Sequence, residues 1–123
     1  MLLNGRMTME NKINPHYETR ANILKAMGHP TRLFILEELN KEERCVNDLT
    51  EMVGSDVSTV SKHLSVLKNS GLVYDEKRGT SIYYRLCCPC ILDFIGCLEN
   101  VIKTNIEKQM KIAQCCGITL NKK

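Results

Sequence analysis

The chain has 123 residues, 43% hydrophobic but only 5% aromatic and without tryptophan, which suits one compact domain with a thin aliphatic core. Its 17 basic and 14 acidic side chains leave a net charge of +3, too small by itself to indicate a nucleic-acid partner. No apolar run approaches the ~18 residues that a membrane helix needs, so the expectation is a cytoplasmic protein with no membrane partner.

Residues 1–15 carry no periodic pattern and read as a flexible tail, leaving 16–123 as a single domain. Tyr17, Ala21, Leu24 and Met27 fall on one helical stripe that Gly28 ends. Pro30 suits the first turn of a second helix, with Leu33, Phe34, Leu36 and Leu39 as its inner face. The run Lys41-Glu42-Glu43-Arg44 reads as a turn, and Val46, Leu49, Met52 and Val53 are spaced for a third, short helix ending at Gly54-Ser55. Asp56 is a good N-cap for a fourth helix, its carboxylate able to accept first-turn amides. Val60, Leu64 and Leu67 must face the core of that helix, and Gly71 closes it.

After Gly71 the period changes. Leu72-Val73-Tyr74 and Ser81 to Leu86 are short β-rich runs around Asp75 to Thr80, which has turn chemistry: a hairpin with a charged tip. Pro89 opens a long final helix, with Ile91, Ile95, Leu98, Ile102, Ile106, Met110 and Ala113 at helical spacing. A helix of ~25 residues is roughly 38 Å long, and a small domain cannot cover such a stripe, so a partner chain is implied, with the first helix joining the contact.

The face of the fourth helix opposite its apolar stripe carries Ser58, Thr59, Ser61, Lys62 and Ser65, with His63 at the margin. Small hydroxyls and one cation near a helix N-terminus suit close approach to base edges and phosphates. At the hairpin, Lys77 and Arg78 are placed to reach the minor groove or flanking phosphates, and one of Tyr83 and Tyr84, with Tyr83 the candidate, to hydrogen-bond a phosphate. Taken singly, each feature is equally an ordinary solvated face. A polar-faced helix after a tight turn, followed directly by a basic hairpin, is far more specific.

These segments resemble one known family. His29-Pro30-Thr31-Arg32-Leu33 is similar to the H-P-x-R start of the ArsR/SmtB repressors, and Val46-Asn47-Asp48-Leu49 to their third helix. Ser58 to Leu67 resembles their recognition helix, and Gly71-Leu72-Val73 with Arg78-Gly79 and Tyr83-Tyr84-Arg85-Leu86 resembles their wing. The resemblance spans roughly residues 17 to 105. It implies a mainly α fold with a small β-hairpin wing, a winged helix-turn-helix carrying a long C-terminal dimerisation helix. It further implies a homodimer joined through the first and last helices, each protomer reading half of an inverted repeat in double-stranded DNA. Repression relieved by an inducer is implied as well.

The sensing sites of such repressors vary. A C-x-C pair in the third helix has only its first member here, in Cys45-Val46-Asn47, and the last helix holds Asp93 and Glu99 but no histidine for a zinc site. What stands out among the seven cysteines is Cys87-Cys88-Pro89-Cys90 followed by Cys97, with Cys45 a further candidate. Seven is odd, and in the cytoplasm thiols stay reduced, so metal or redox chemistry is favoured over a disulfide framework. Three thiols within four residues suit a thiophilic ion such as As(III), not required for folding, or an oxidant. Cys90, in the first turn of the last helix, is the candidate thiolate. The competing reading is that these cysteines only pack, as small buried hydrophobes; Cys115 and Cys116 are the least informative.

An enzyme would need a nucleophile, a base and a pocket. His16, His29 and His63 are scattered, and no G-x-S-x-G or Gly-rich phosphate loop is present. The alternatives to an induced repressor are a winged-helix regulator with no small inducer, or a protein-interaction module.

Overall fold

The computed structural model describes residues 12–115. Five helices and three strands follow in the order α1 (Pro15–Met27), α2 (Pro30–Lys41), β1 (Arg44–Cys45), α3 (Val46–Val53), α4 (Val57–Asn69), β2 (Val73–Arg78), β3 (Ser81–Leu86) and α5 (Ile91–Cys115). The chain divides at Cys87/Cys88 into two compact units, the first holding α1 to β3 and the second α5. None of these helices is long and apolar enough to cross a membrane.

The tail expected over residues 1–15 lies outside the described residues up to position 11, and Cys116 lies outside them as well. Pro15 is the first residue of α1, because its missing N–H costs a helix start nothing and the Asn14 side chain accepts from the His16 amide at 2.8 Å. Only Met27 of the expected α1 stripe is buried; Tyr17 and Leu24 remain 59% and 48% exposed, since no other part of the described chain covers that face.

In the first unit Ile35, Leu36, Leu49, Val60, Leu64, Leu67 and Val73 are fully buried. Each such side chain contributes about 2 kcal/mol of apolar transfer. The inner face of α2 turns on Ile35, Leu36 and Leu39, with Leu33 and Phe34 half-buried. Glu38 shares that face. It is buried and paired with Lys41 at 3.0 Å and Arg44 at 3.2 Å, which compensates its desolvation.

The turn between α3 and α4 passes through Gly54 at φ 81°, a left-handed conformation that costs other L-residues about 1–2 kcal/mol. A β-carbon there would meet nothing within 4 Å, so the cost is in the backbone alone. Gly54→Ala is therefore expected to lower stability by about 1 kcal/mol and Gly54→Asn by less, because Asn tolerates this region. A urea midpoint series reads it, and equal losses for the two would contradict it. The end of α4 is closed by Gly71 at φ 84°: its N–H donates to Lys68 C=O and that of Leu72 to Leu67 C=O, both at 3.0 Å, the paired bonds of a Schellman motif.

The sheet has the order β1-β3-β2, antiparallel throughout. Two differences from the sequence reading arise here. Arg44, read as the end of a turn, and Cys45, set beside the third helix, form β1 against Tyr84 and Tyr83, a strand too short to carry any period. The hairpin is also tighter than expected. Asp75 to Arg78 are ladder residues, leaving only Gly79-Thr80 at the tip. A ladder is made by backbone groups, so charged side chains on an exposed strand do not prevent it.

The second unit is the 25-residue helix α5 and the turn before it. Its centre presents Leu98, Val101, Ile102 and Ile106 as exposed apolar side chains. The helix begins at Ile91, so Cys90 precedes it, where the sequence suggested the first turn. Amides of Ile91, Leu92 and Asp93 donate to the carbonyls of Cys88, Pro89 and Cys90 at 3.0–3.1 Å, a tight entry turn.

Candidate nucleic-acid interface

Helix α4 buries Val60, Leu64 and Leu67 completely, so its rotation about its axis is fixed. Ser58, Thr59, Ser61, Lys62 and Ser65 are consequently exposed. The Lys62 ammonium makes no ion pair among the described residues. Asp56 takes the N-cap position, but its carboxylate accepts the Ser58 hydroxyl at 2.9 Å and forms no capping bond to the first-turn amides. The hydroxyls of Thr59 and Ser58 hold its carboxyl below the usual range. Ser58 is thus occupied within the helix start, and Ser61, Lys62 and Ser65 are the groups left free.

His63 is turned toward the protein. Its Nδ1 lies 3.1 Å from Arg32 Nη1, and since a guanidinium only donates, the imidazole must accept there. Its ring lies 4.3 Å from that of His29, whose own Nδ1 accepts the Thr31 amide as the cap of α2. Arg32 Nε meanwhile donates to Ala26 C=O at 2.5 Å. One side chain thus joins the end of α1, the start of α2 and the middle of α4. Burial, reinforced by the charges of His29 and Arg32, keeps the His63 pKa below its ordinary 6.5. Arg32 and His29 went unassigned in the sequence reading, although the H-P-x-R motif had marked them.

The hairpin is held to α4 by a Lys68–Asp75 pair at 3.1 Å, exposed enough to contribute well under ~1 kcal/mol. Cross-strand partners share a face, which puts Tyr74, Glu76, Arg78, Tyr83 and Arg85 together. Arg78 is not a free cation at the tip. Glu43 takes it with both oxygens at 2.5 and 2.9 Å, Glu76 adds a contact at 2.8 Å, and its guanidinium lies 4.7 Å over the Tyr83 ring. The hydrogen bond from Arg78 in turn holds the Glu43 carboxyl below its usual range. To meet a phosphate, Arg78 must exchange these carboxylates for it. Lys77, its neighbour on the opposite face, makes no ion pair among the described residues and is the unencumbered cation of the hairpin.

Cys88 and Cys90 stand with their sulfurs 2.8 Å apart, both exposed free thiols in hydrogen-bond contact. Cys87 and Cys97 are exposed and Cys45 is half-buried in β1. Among the described residues no group of three or more His, Cys, Asp or Glu is gathered to hold a metal, so the three-sulfur set expected for As(III) is not assembled. The Cys90 thiol is pushed up, by its hydrogen bond with Cys88 and by the charges of Cys88 and Asp93, against the lowering expected from a helix start.

A helix-turn-helix with an exposed hydroxyl-and-lysine face, followed by an antiparallel hairpin, defines the winged helix-turn-helix class. The sequence pattern of the bacterial regulatory protein arsR family matches residues 29–75. The chain is 38% identical over 84 residues to the nodulation protein NolR of Rhizobium meliloti, across 68% of this chain and 69% of NolR. It is 34% identical over 89 residues to the biofilm growth-associated repressor of Xylella fastidiosa, across 72% of this chain and 77% of the repressor. Its fold is similar to the homodimeric winged helix-turn-helix DNA-binding domain Mb0332 of Mycobacterium bovis, with TM-score 0.66 and 27% identity over 83% of this chain and 95% of that one. The chain belongs to the arsR family and is a transcriptional regulator, a class of DNA-binding proteins and not of enzymes.

Proposed function

We propose that this regulator is a cytoplasmic, sequence-specific repressor that binds an inverted-repeat operator as a homodimer, its two units acting as one DNA-binding and dimerisation domain. A thiophilic ion or thiol oxidant acting on the cysteines releases it. The observation that carries the DNA reading is α4, whose three fully buried side chains oblige Ser61, Lys62 and Ser65 to face outward. Short hydroxyls and a lysine approach base edges and phosphates closely. Lys77 and, once released by Glu43, Arg78 supply backbone contacts from the hairpin, with Tyr83 beside them.

Dimerisation through α1 and α5 is supported by the exposed apolar residues Tyr17 and Leu24 on the first and Leu98, Val101, Ile102 and Ile106 on the second. Chains do not usually leave such stripes in water. The homodimeric state of Mb0332 supports the same reading.

The test is binding of the full chain to its own upstream DNA by fluorescence anisotropy across a salt series. Specific binding falling steeply with salt is expected. Lys62→Ala is expected to weaken it and reduce the log–log salt slope by about 1, the loss of one phosphate contact. Salt-independent binding, or none above that to unrelated DNA, would leave a protein-interaction module as the better reading.

A further inference from the structure

We propose that Cys88 and Cys90 are a two-electron dithiol–disulfide pair whose oxidant is a hydroperoxide, and that closing the disulfide weakens the regulator's hold on DNA. This rests on the repressor reading above and narrows its cysteine chemistry to one pair and one class of reagent.

The geometry favours bond formation over metal capture. Two thiolates sharing a tetrahedral metal at ~2.3 Å stand about 3.8 Å apart, and a linear site would need about 4.6 Å. The observed 2.8 Å is shorter than either and nearer the ~2.05 Å of a disulfide. No further His, Cys, Asp or Glu among the described residues completes a metal site around them. Both sulfurs are exposed, so a small peroxide reaches them. Pro89 between them fixes one backbone angle and limits the ways the two cysteines separate. Either sulfur can donate in the contact between them, so one holds the shared proton while the other is the nucleophile.

The step balances. The thiolate of one of the pair attacks the outer oxygen of ROOH, the O–O bond breaks, and ROH leaves with the proton. That cysteine is then a sulfenic acid. The sulfur of the other attacks it, forming the S–S bond and expelling water. Two thiols and one hydroperoxide give one disulfide, one alcohol and one water; sulfur loses two electrons and the peroxide gains them.

Closure acts where it has mechanical effect. The carbonyls of Cys88, Pro89 and Cys90 accept the first amides of α5, so drawing the two sulfurs together by about 0.8 Å bears on the entry turn of that helix. One residue earlier, the Cys87 amide is bonded to Leu72 C=O at the base of the hairpin. The pair therefore occupies the peptide link through which the hairpin continues into α5.

The experiment treats the reduced full chain with cumene hydroperoxide, blocks free thiols with N-ethylmaleimide, and maps the peptides by mass. The expected product lacks two hydrogens across residues 88–90 and carries no label there, while Cys87 and Cys97 are labelled; dithiothreitol reverses it. Operator affinity is expected to fall about tenfold on oxidation and to recover on reduction, the scale of an ordinary allosteric coupling. Cys88→Ser and Cys90→Ser each abolish both responses. A disulfide to Cys87, Cys97 or another chain, over-oxidation of one sulfur, an unchanged affinity after closure, or release by arsenite but not by peroxide would overturn the proposal. Reduced protein that binds no specific DNA would instead sink the repressor reading, and the mass map would still report the pair.

Discussion

Leu64→Ala is expected to lower the stability of the folded chain by about 3 kcal/mol, the middle of the range for a buried leucine truncated in a packed core. Leu64 is fully inaccessible, with Val60 and Leu67 equally buried on the turns either side. The cavity would open directly beneath the face that carries Ser61, Lys62 and Ser65. Since a domain of this size has roughly 5–15 kcal/mol in total, this one change removes a large fraction of it. Chemical denaturation should show a lower midpoint with an unchanged slope. Operator binding at a temperature where the variant is still folded should fall as well, because α4 loses the contact that fixes its rotation. A loss below ~1 kcal/mol would mean that neighbouring side chains collapse into the space and that α4 is held mainly by other contacts.

The residues that made α4 legible in the sequence are the ones that make Leu64 costly to remove. Val60, Leu64 and Leu67 repeat at helical spacing, and a period of that kind survives folding because burial of one face enforces it. The glycine stops at Gly54 and Gly71 were legible for a similar reason: each adopts a positive φ that few other residues tolerate. What the sequence did not yield were pairings between distant positions. Glu43 and Arg78 are 35 residues apart, and nothing local shows that the hairpin arginine is already occupied. Strand β1 is two residues long and owes its existence to β3 alone. The stripe of α1 was read as apolar and as joining a partner-chain contact; Tyr17 and Leu24 on it are exposed, and periodicity locates such a face without naming what covers it. Cys88 and Cys90 stood out by spacing, while the contact between their two sulfurs depends on the turn before α5.

Arg32→Ala is expected to destabilise the chain by about 2–3 kcal/mol and to remove only a minor part of the acid sensitivity that His63 confers, since burial and His29 both outweigh Arg32 in lowering its pKa. Arg32 donates to Ala26 C=O and to His63 Nδ1, so its loss strands an acceptor on α1 and another on α4. Protonating His63 has a related effect without mutation. The imidazole accepts from Arg32 only while neutral, and its charged form would face both the Arg32 guanidinium and the His29 ring. Its folded pKa lies below the ordinary 6.5, chiefly through burial and then through those neighbours. The unfolded chain therefore takes up this proton first as pH falls, and stability declines from about pH 6.5 downward until the folded pKa is passed. Above that range the contribution is fully present. Urea midpoints from pH 8 to 5 should fall more steeply for the wild type than for His63→Gln, whose side-chain oxygen can still accept from Arg32 but cannot titrate. In an Arg32→Ala background the same difference should narrow but persist, because burial and His29 still disfavour the charged imidazole. Parallel pH profiles for wild type and His63→Gln would show that His63 protonates without cost in the fold.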